Sequence, residues 1–372
     1  MSAGMSKSWR KIWRKLHRKH YIFELILVLI IVAAVGITIK NVWPSGKSFR
    51  FWNRPAPTQE SLSPVIPQEN LVRRAIDGIK VGQGKENLPL VAVMIENMVE
   101  AQPISGIDKA SLVFESVTEA NITRFLAVYA ADDTLKDFEI GPVRSARPYY
   151  LDWATELNAL YAHVGGSPEA NKLIKQGIVK DLDQWFKSQY FWRETSKLGP
   201  HNVFTSTDLL KQAVQKEKFE QKIFSPWQFK DEAAIGERGS IEKIVVGYSN
   251  PYDVTWQYDK EHNEYQRLQW GAPGDEPRVQ HKTADGDVIK TKNIAVAWLP
   301  MKILDEVGRK WFGTIGQGKA VVFQDGQAIK GTWNKPSRDE RMKFFNESGE
   351  EIKFNAGTTW VEVVPTGYKV GY

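Results

Sequence analysis

The chain has no cysteine among its 372 residues. This absence excludes disulfide frameworks, thiolate metal sites, cysteine nucleophiles and anchoring through a lipidated cysteine. It leaves the redox compartment of the protein open. Hydrophobic residues make up 42% of the sequence and charged residues 25%, which is typical of folded domains and excludes collagen-like and wholly disordered chains.

Most of the chain also lacks an excess of charge of either sign. Seven of the 50 lysine and arginine residues lie in the first 20 positions, so the remaining 352 residues carry 43 basic and 44 acidic side chains. The sequence pI of about 9.1 therefore reflects the N-terminal tail. Because the body of the chain is almost neutral, we expect no duplex nucleic acid as a partner.

Long hydrophobic runs are scarce, with one exception at residues 21–39. As a helix these 19 residues would span roughly 28 Å, which matches the hydrocarbon core of a bilayer, and only Glu24 interrupts them. The seven upstream cations predict a cytoplasmic N-terminus. We therefore predict a basic cytoplasmic tail (1–20), a single-pass signal-anchor in the lipid bilayer (21–39), and an extracytoplasmic remainder. A cleaved signal peptide is the alternative, but no polar cleavage region follows the run.

A proline-rich stretch follows the predicted anchor. Five prolines lie between positions 44 and 67, and hydrophobic periodicity is absent there. We interpret residues 40–84 as an extended stalk, in which 71–79 could form a short helix before the turn at Gly82 and Gly84.

The remaining pattern predicts an α+β protein in two regions. The N-terminal region, 85–235, has predicted strands at residues 90–95, 111–117, 122–130 and 159–164. Its predicted helices begin at Pro148, after a Ser167 cap, and after a Thr205 cap. The C-terminal region, 236–372, is mainly β, with predicted strands at residues 241–248, 252–258, 265–270, 294–299, 319–324, 328–333 and 359–364.

Motifs for common cofactors are missing from the sequence. The segment GTIGQGKA at residues 313–320 resembles a phosphate-binding loop, but Ala320 occupies the position where a hydroxyl should hold magnesium. A strand-like sequence follows it, whereas a phosphate-binding loop precedes a helix. Zinc-helix, calcium-loop, dinucleotide and nucleophile-elbow motifs are also absent, so we expect neither a cofactor nor a metal.

Chemistry-bearing side chains cluster in the middle of the chain. Arg144 and Arg147 flank Ser145 directly before a predicted helix, and His163 ends a strand before the helix that Ser167 caps. Guanidinium groups beside free main-chain N–H groups suit a phosphate or a carboxylate. We therefore predict a site for a polar or anionic cell-envelope ligand. The predicted ligand-binding residues are Arg144, Ser145, Arg147, His163, Ser167, Glu169, Arg193, His201 and Asn202.

A structural ion-pair network is an alternative for the two arginines, because buried arginines are normally paired. Their potential partners are Glu96, Glu115, Glu119 and Asp152.

An envelope hydrolase is a second alternative, because imidazole titrates near neutrality and suits a general base. The base would be His201 or His163. Spacing alone assigns no catalytic residue. The supporting groups would come from Asp183, Glu169, Ser145 and Ser167.

The fourteen tryptophans are expected mostly in the core. Aromatic side chains are concentrated at residues 185–192, beside Arg193. If some are exposed, they would form a glycan or peptide groove, and a protein-interaction module with an unknown partner is the third alternative.

Several segments together resemble the YerB family, whose bacterial members are described as lipoproteins. The N-terminal resemblance rests on PLVAVMIEN (89–97), SG (105–106), KA (109–110), ITRFL (122–126), IGPVRSARP (140–148), HVGGSP (163–168) and PHN (200–202). The C-terminal resemblance rests on GTWNK (331–335), Gly349, NAGTTW (355–360) and VVP (363–365).

The resemblance covers roughly residues 86–367 and implies a layered sheet-and-helix module with N-terminal and C-terminal YerB-like regions. It implies no established enzymatic activity. The chain differs from lipoprotein members in having no cysteine, so we expect its helix, and not a lipid, to anchor it.

Overall fold

The computed structural model describes residues 70–132, 136–269 and 279–372. The predicted tail, the predicted membrane helix and residues 40–69 of the predicted stalk lie outside these ranges. The α-helices in the described residues are α1 (Pro148–Thr155), α2 (Pro168–Lys175) and α3 (Thr207–Lys216). None of these is long and apolar enough to cross a membrane.

Strands dominate the described residues. Those before α3 are β1 (Leu71–Arg73), β2 (Lys80–Gly82), β3 (Leu90–Glu96), β4 (Leu112–Val117), β5 (Thr123–Ala130), β6 (Glu139–Ile140), β7 (Leu160–His163), β8 (Lys180–Asp183), β9 (Trp192–Arg193) and β10 (Val203–Ser206). Those after α3 are β11 (Phe229–Lys230), β12 (Lys243–Val246), β13 (Val254–Asp259), β14 (Glu264–Gln269), β15 (Val279–Gln280), β16 (Lys290–Thr291), β17 (Asn293–Leu299), β18 (Met301–Ile303), β19 (Lys310–Phe312), β20 (Gly316–Gln324), β21 (Gln327–Lys335), β22 (Lys343–Asn346), β23 (Phe354–Asn355), β24 (Thr359–Pro365) and β25 (Val370–Gly371).

A ten-stranded sheet forms the centre of the molecule, in the order β22-β21-β20-β17-β24-β4-β5-β3-β7-β8. Its first five strands come from the C-terminal region and its last five from the N-terminal region. The two sets join through the parallel pair β24–β4, where Val361 lies opposite Phe114. Both regions therefore contribute to one core, and the described residues all belong to one compact unit.

The central strands are buried along their whole length. Every residue of β3, β4 and β5 is buried, which explains why their sequences are mostly apolar and do not alternate regularly between apolar and polar residues. Strands β3, β7 and β8 are mutually parallel, and β5 is antiparallel to β3. The ends of β3, β7 and β8 therefore share one edge of the sheet with the start of β5.

A second sheet, β15-β14-β13-β12-β25, also pairs β14 with β16. One of its buried arginines, Arg267, donates to both carboxylate oxygens of Glu115 in the central sheet, at 2.9 and 3.0 Å. Glu362 of β24 accepts a hydrogen bond from Trp256 Nε1 at 2.7 Å. These buried polar contacts link the two sheets.

Helix starts mostly follow the predicted signals. Pro148 occupies the first turn of α1, and Ser167 Oγ accepts a hydrogen bond from the Ala170 N–H at 3.3 Å, as expected for a capped α2. The predicted Thr205 cap is wrong by one residue, because Ser206 caps α3. Thr205 belongs to β10, and its hydroxyl donates to the Tyr190 carbonyl at 2.8 Å.

The predicted helix at 71–79 is also wrong. The antiparallel hairpin β1–β2 occupies this segment, and Gly78 adopts a left-handed conformation in its turn. The Arg74 N–H donates to the Ile79 carbonyl at 2.8 Å and closes the turn. The longer predicted strands are all found, and the described part of the chain is mostly β-sheet with few helices. The α+β expectation therefore overstated the helical share.

Candidate functional site

The candidate site lies where β3 and β7 end and β5 begins. Glu96 ends β3, and Arg124 lies directly opposite it in the antiparallel β3–β5 pair. His163 ends β7 and lies beside Asp183, the last residue of β8, in the register of the parallel β7–β8 pair. The sheet topology therefore brings charged side chains from distant parts of the sequence to one edge.

The loop formed by residues 141–147 crosses this edge. The Arg144 N–H donates to the Met94 carbonyl of β3 at 2.8 Å, and the Arg144 carbonyl accepts from the Val164 N–H at 3.2 Å. The Ala146 N–H donates to the Gly165 carbonyl at 2.9 Å. Main-chain hydrogen bonds thus hold the loop between β3 and the turn after β7, and this places Arg144 at the edge.

Arg124 is a buried cation with no carboxylate in direct contact among the described residues, although the charge of Glu96 acts on it. Its side chain is only 5% exposed, and its Nη1 donates to the Ser145 carbonyl at 2.8 Å. No carboxylate within the described ranges forms an ion pair with it. Burial, together with the positive charges of Arg147 and Arg144, lowers the pKa of Arg124 to about 10. A positive potential therefore remains at this position.

Arg144 and Arg147 each pair with a glutamate, as the structural alternative predicted. Arg144 Nε donates to Glu96 Oε1 at 2.8 Å. Arg147 forms a two-pronged pair with Glu119, with Nε to Oε1 at 2.8 Å and Nη2 to Oε2 at 2.7 Å. With Arg124, three guanidinium groups face two carboxylates, so the cluster has a net positive charge.

The arginine cluster lines a cavity of about 390 Å³, called here the arginine cavity. Besides the three arginines, its walls include Ser145, Gly166 and Ser167. Ser167 and Pro168 belong to the start of α2, where the helix dipole favours negative charge. The cavity thus combines guanidinium forks with a helix N-terminus, which suits a phosphate or a carboxylate.

A larger cavity of about 800 Å³, the aromatic cavity, adjoins it. The two cavities share Arg144, Ser145 and Gly166. The aromatic cavity is also lined by His163, Asp181, Asp183, Trp185, Phe186 and Arg193.

His163 is buried, and both of its ring nitrogens have partners. Nδ1 lies 2.7 Å from the Gly165 carbonyl, which can only accept, and Nε2 lies 2.7 Å from Asp181 Oδ1. The predicted role of His163 as a general base is therefore wrong for this geometry, because neither nitrogen is free to take a proton from a ligand. The contacts instead hold the turn that precedes α2.

His201 is positioned by Glu96. Its Nδ1 lies 2.7 Å from Glu96 Oε2, so one carboxylate orients both His201 and Arg144. Nε2 of His201 has no hydrogen-bond partner within the part of the chain that the structure describes. The predicted pairing with Asp183 is wrong, because Asp183 Oδ1 accepts from the main-chain N–H groups of Gly165 and Trp185.

The other predicted residues lie further from the arginine cavity. Glu169 lines a third cavity of about 430 Å³ beside β19. Arg193 is exposed on the wall of the aromatic cavity, and its Nη1 donates to Asn202 Oδ1 at 3.0 Å. The structure therefore brings Arg144, Ser145, Arg147 and Ser167 together and separates Glu169 from them.

Sequence reasoning did not select Arg124. A signal was present, since an arginine directly before the apolar run at residues 125–130 of a fully buried strand has no ordinary core role. The residues that lie beside Arg124 in space could not be inferred from the periodicity of its strand, because they come from the loop after β6 and from the start of α2.

Comparisons with known proteins agree with the sequence resemblance. The model of the family "Protein of unknown function (DUF3048) N-terminal domain" matches residues 78–220, and that of its C-terminal domain matches residues 244–361. The "Putative lipoprotein YerB" of Bacillus subtilis is 29% identical over 302 residues, which cover 79% of this chain and 86% of that protein.

The crystal structure of the YerB protein from Bacillus subtilis is similar in fold. It superposes with a TM-score of 0.69 at 28% sequence identity, covering 81% of this chain and all of the other. Both domains of the family match this chain in the same order, and the sequence relative and the similar crystal structure are both YerB. The chain therefore belongs to the YerB family of DUF3048 proteins.

Proposed function

We propose that the protein is a membrane-associated, extracytoplasmic binding protein whose arginine cavity takes the phosphate or carboxylate of an envelope component. The observation that carries this proposal is Arg124, a buried guanidinium with no carboxylate partner among the described residues. A buried ion without compensation is costly, so a protein retains one where a ligand or a function compensates it.

The donors around Arg124 support the same ligand chemistry. Neither Nη group of Arg144 has a hydrogen-bond acceptor in the described ranges. These groups, with Arg124 and the start of α2, provide directional donors without removing the pairs that hold Arg144 and Arg147 in place. An anion bound here would balance the net positive charge of the cluster.

The relative and the sequence support the proposed extracytoplasmic location. The Bacillus subtilis relative is named "Putative lipoprotein YerB". The present chain has no cysteine to carry a lipid, so residues 21–39 are proposed as its membrane anchor, with the cytoplasmic side at the N-terminus. The ligand would then be a component of the cell envelope.

Thermal unfolding of the full-length protein in detergent tests the proposal. Inorganic phosphate at a hundred times its dissociation constant should add about 2.7 kcal/mol of stability. The Arg124→Met variant should lose this gain. An Arg73→Met variant, which removes a surface arginine paired with Asp231, is the control and should keep it.

An unchanged phosphate effect in Arg124→Met would contradict the proposal. So would the absence of any shift in the wild-type protein with phosphate and with acetate.

Hydrolysis at the same site is a second candidate, favoured by the Glu96–His201 pair. A carboxylate on Nδ1 keeps the Nε2 side of a neutral imidazole available as a base for water. Hydrolysis of a phosphoester or a wall fragment should then fall by about 100-fold or more in His201→Asn. Equal turnover in wild type and variant would exclude this candidate.

A further inference from the structure

The aromatic cavity presents two large exposed rings next to the proposed anion site. Trp185 is 65% exposed and Phe186 is 81% exposed, although the preceding residues Leu182 and Asp183 are buried. Exposed aromatic surface has a hydrophobic cost, and adjacent exposed rings at the wall of a cavity are typical of a binding surface.

The turn that carries these rings is held in place by Asp183. Asp183 Oδ1 accepts from the Trp185 N–H at 3.2 Å, and the Asp183 carbonyl accepts from the Phe186 N–H at 3.0 Å. The Arg193 guanidinium lies 5.9 Å from the centre of the Trp185 ring. The main chain of the turn and the Trp185 ring are therefore held in place, which lowers the entropic cost of binding.

Polar groups complete the cavity wall. One carboxylate oxygen of Asp181 is hydrogen-bonded to His163. The other oxygen has no hydrogen-bond partner within the described ranges. Asn171 and Lys175 of α2 line the same cavity. Sugar rings combine an apolar C–H face with a rim of hydroxyl groups, so they match aromatic rings beside carboxylate, amide and amine groups.

The aromatic and arginine cavities are continuous in their lining. Arg144, Ser145 and Gly166 belong to both, so a ligand that places an anionic group in the smaller cavity can extend into the larger one. The larger volume of about 800 Å³ lies within the range of roughly 300–1,000 Å³ that is usual for small-ligand sites.

We propose that the aromatic cavity binds the sugar rings of an anionic glycan, whose carboxylate or phosphate occupies the arginine cavity. This inference rests on the proposed function and specifies the chemical class of the ligand. A peptide is the competing occupant, because β8 is the last strand of the central sheet and could accept another strand. The short β8 and the polar cavity at its end favour the glycan.

Calorimetric titration of the full-length protein in detergent tests this assignment. The probes are tetragalacturonate, which bears carboxylates, a phosphorylated maltotetraose, and neutral maltotetraose. Galacturonate, inorganic phosphate and tetraglutamate are the reference ligands. At least one anionic tetrasaccharide should bind about tenfold more tightly than galacturonate or phosphate, since stacked rings add contact area. Whichever of the two anionic tetrasaccharides binds more tightly shows whether the site prefers a carboxylate or a phosphate.

A paired variant isolates the aromatic rings. Trp185→Ala combined with Phe186→Ala should remove the tenfold gain and leave phosphate affinity within about twofold. Trp311→Ala removes another exposed tryptophan, which lines the third cavity, and should change neither affinity. The unfolding midpoint of each variant checks that it is folded.

The outcomes separate the two proposals. If phosphate binds but neither anionic tetrasaccharide binds more tightly than galacturonate or phosphate, the glycan assignment is overturned and the proposed anion site stands. If tetraglutamate shows the same ring-dependent gain, the occupant is a peptide and the glycan assignment is overturned. If no anion binds the wild-type protein, both proposals fail.

Discussion

Glu96 lies directly opposite Arg124 in the β3–β5 pair, yet its carboxylate binds Arg144 and His201. Opposite residues of an antiparallel pair point to the same face of the sheet, so Arg124 would be the simplest partner for Glu96. The carboxylate is instead used by the loop that crosses the sheet edge, and Arg124 donates to the Ser145 carbonyl. This choice of partner leaves Arg124 with no carboxylate in direct contact among the described residues, and the proposed site depends on that.

We expect Arg124→Met to stabilise the protein in the absence of ligand, by about 1–2 kcal/mol at pH 7. The folded-state pKa of Arg124 is lowered to about 10, so its charged form costs stability at all pH values below that pKa. Denaturant unfolding in phosphate-free buffer measures the effect. A variant less stable than wild type would show that the guanidinium is a structural group.

Glu96→Gln should reduce stability and strengthen anion binding. The buried carboxylate forms an ion pair with Arg144 and a hydrogen bond with His201, and breaking such buried contacts costs on the order of 2–4 kcal/mol. Removal of a negative charge next to the arginine cavity should tighten phosphate binding about threefold or more. Denaturant unfolding and phosphate titration measure the two effects.

Glu347→Gln, on an exposed turn, is the control for Glu96→Gln and should change neither quantity. Weaker phosphate binding in Glu96→Gln would place the anion away from this carboxylate.

The stability of the protein should fall as the pH rises from about 4.5 to 8, because of Glu362. Burial and the negative charge of Glu115 raise the pKa of Glu362 to about 8. The folded state therefore holds a proton that the unfolded chain releases near the usual value of 4.5, so stability falls between these two pKa values and no longer depends on this group above 8.

Hydrogen bonding supports a protonated Glu362. The Tyr248 hydroxyl lies 2.8 Å from Glu362 Oε2 and 3.1 Å from the Glu115 carbonyl, and its single hydrogen cannot serve both. A protonated Glu362 that donates to Tyr248 satisfies both contacts. Denaturant unfolding between pH 5.5 and 9 should show a flatter pH dependence in Glu362→Gln than in wild type, and parallel curves would contradict this assignment.

Lys310→Met should also stabilise the protein at pH 7. Lys310 is only 4% exposed and has no hydrogen-bond or ion-pair partner in the described part of the chain. Burial lowers its pKa, although the charge of Glu119 opposes the shift. The gain in stability of Lys310→Met over wild type should shrink as the pH approaches the usual lysine pKa. Near that pH the lysine loses its proton in the unfolded chain as well as in the folded protein.

Thermal unfolding at pH 7 and pH 10 measures this gain. Lys330→Met, which changes an exposed lysine of β21, is the control and should have little effect. A lower midpoint for Lys310→Met at pH 7 would show that the amine has a stabilising partner.

Local features were predictable from the sequence because they depend on neighbouring residues. The apolar runs of β3, β4 and β5 predicted buried strands, and Ser167 followed by Pro168 predicted the start of α2. Such signals failed where long-range pairing competed with local propensity. Residues 71–79 resembled a helix in isolation, but pairing of β1 with β2 and the ion pair of Arg74 with Asp77 favour the hairpin.

The sequence alone determined the absence of thiol chemistry, the near-neutral body, the main strands and the family, since these follow from composition and local order. The tertiary structure decided which charges are paired. Glu96 and His201 are 105 residues apart, and Arg124 is 21 residues from the Ser145 carbonyl that it contacts. Each side chain had several potential partners of suitable charge, and only the strand order and the path of the loop at 141–147 selected among them.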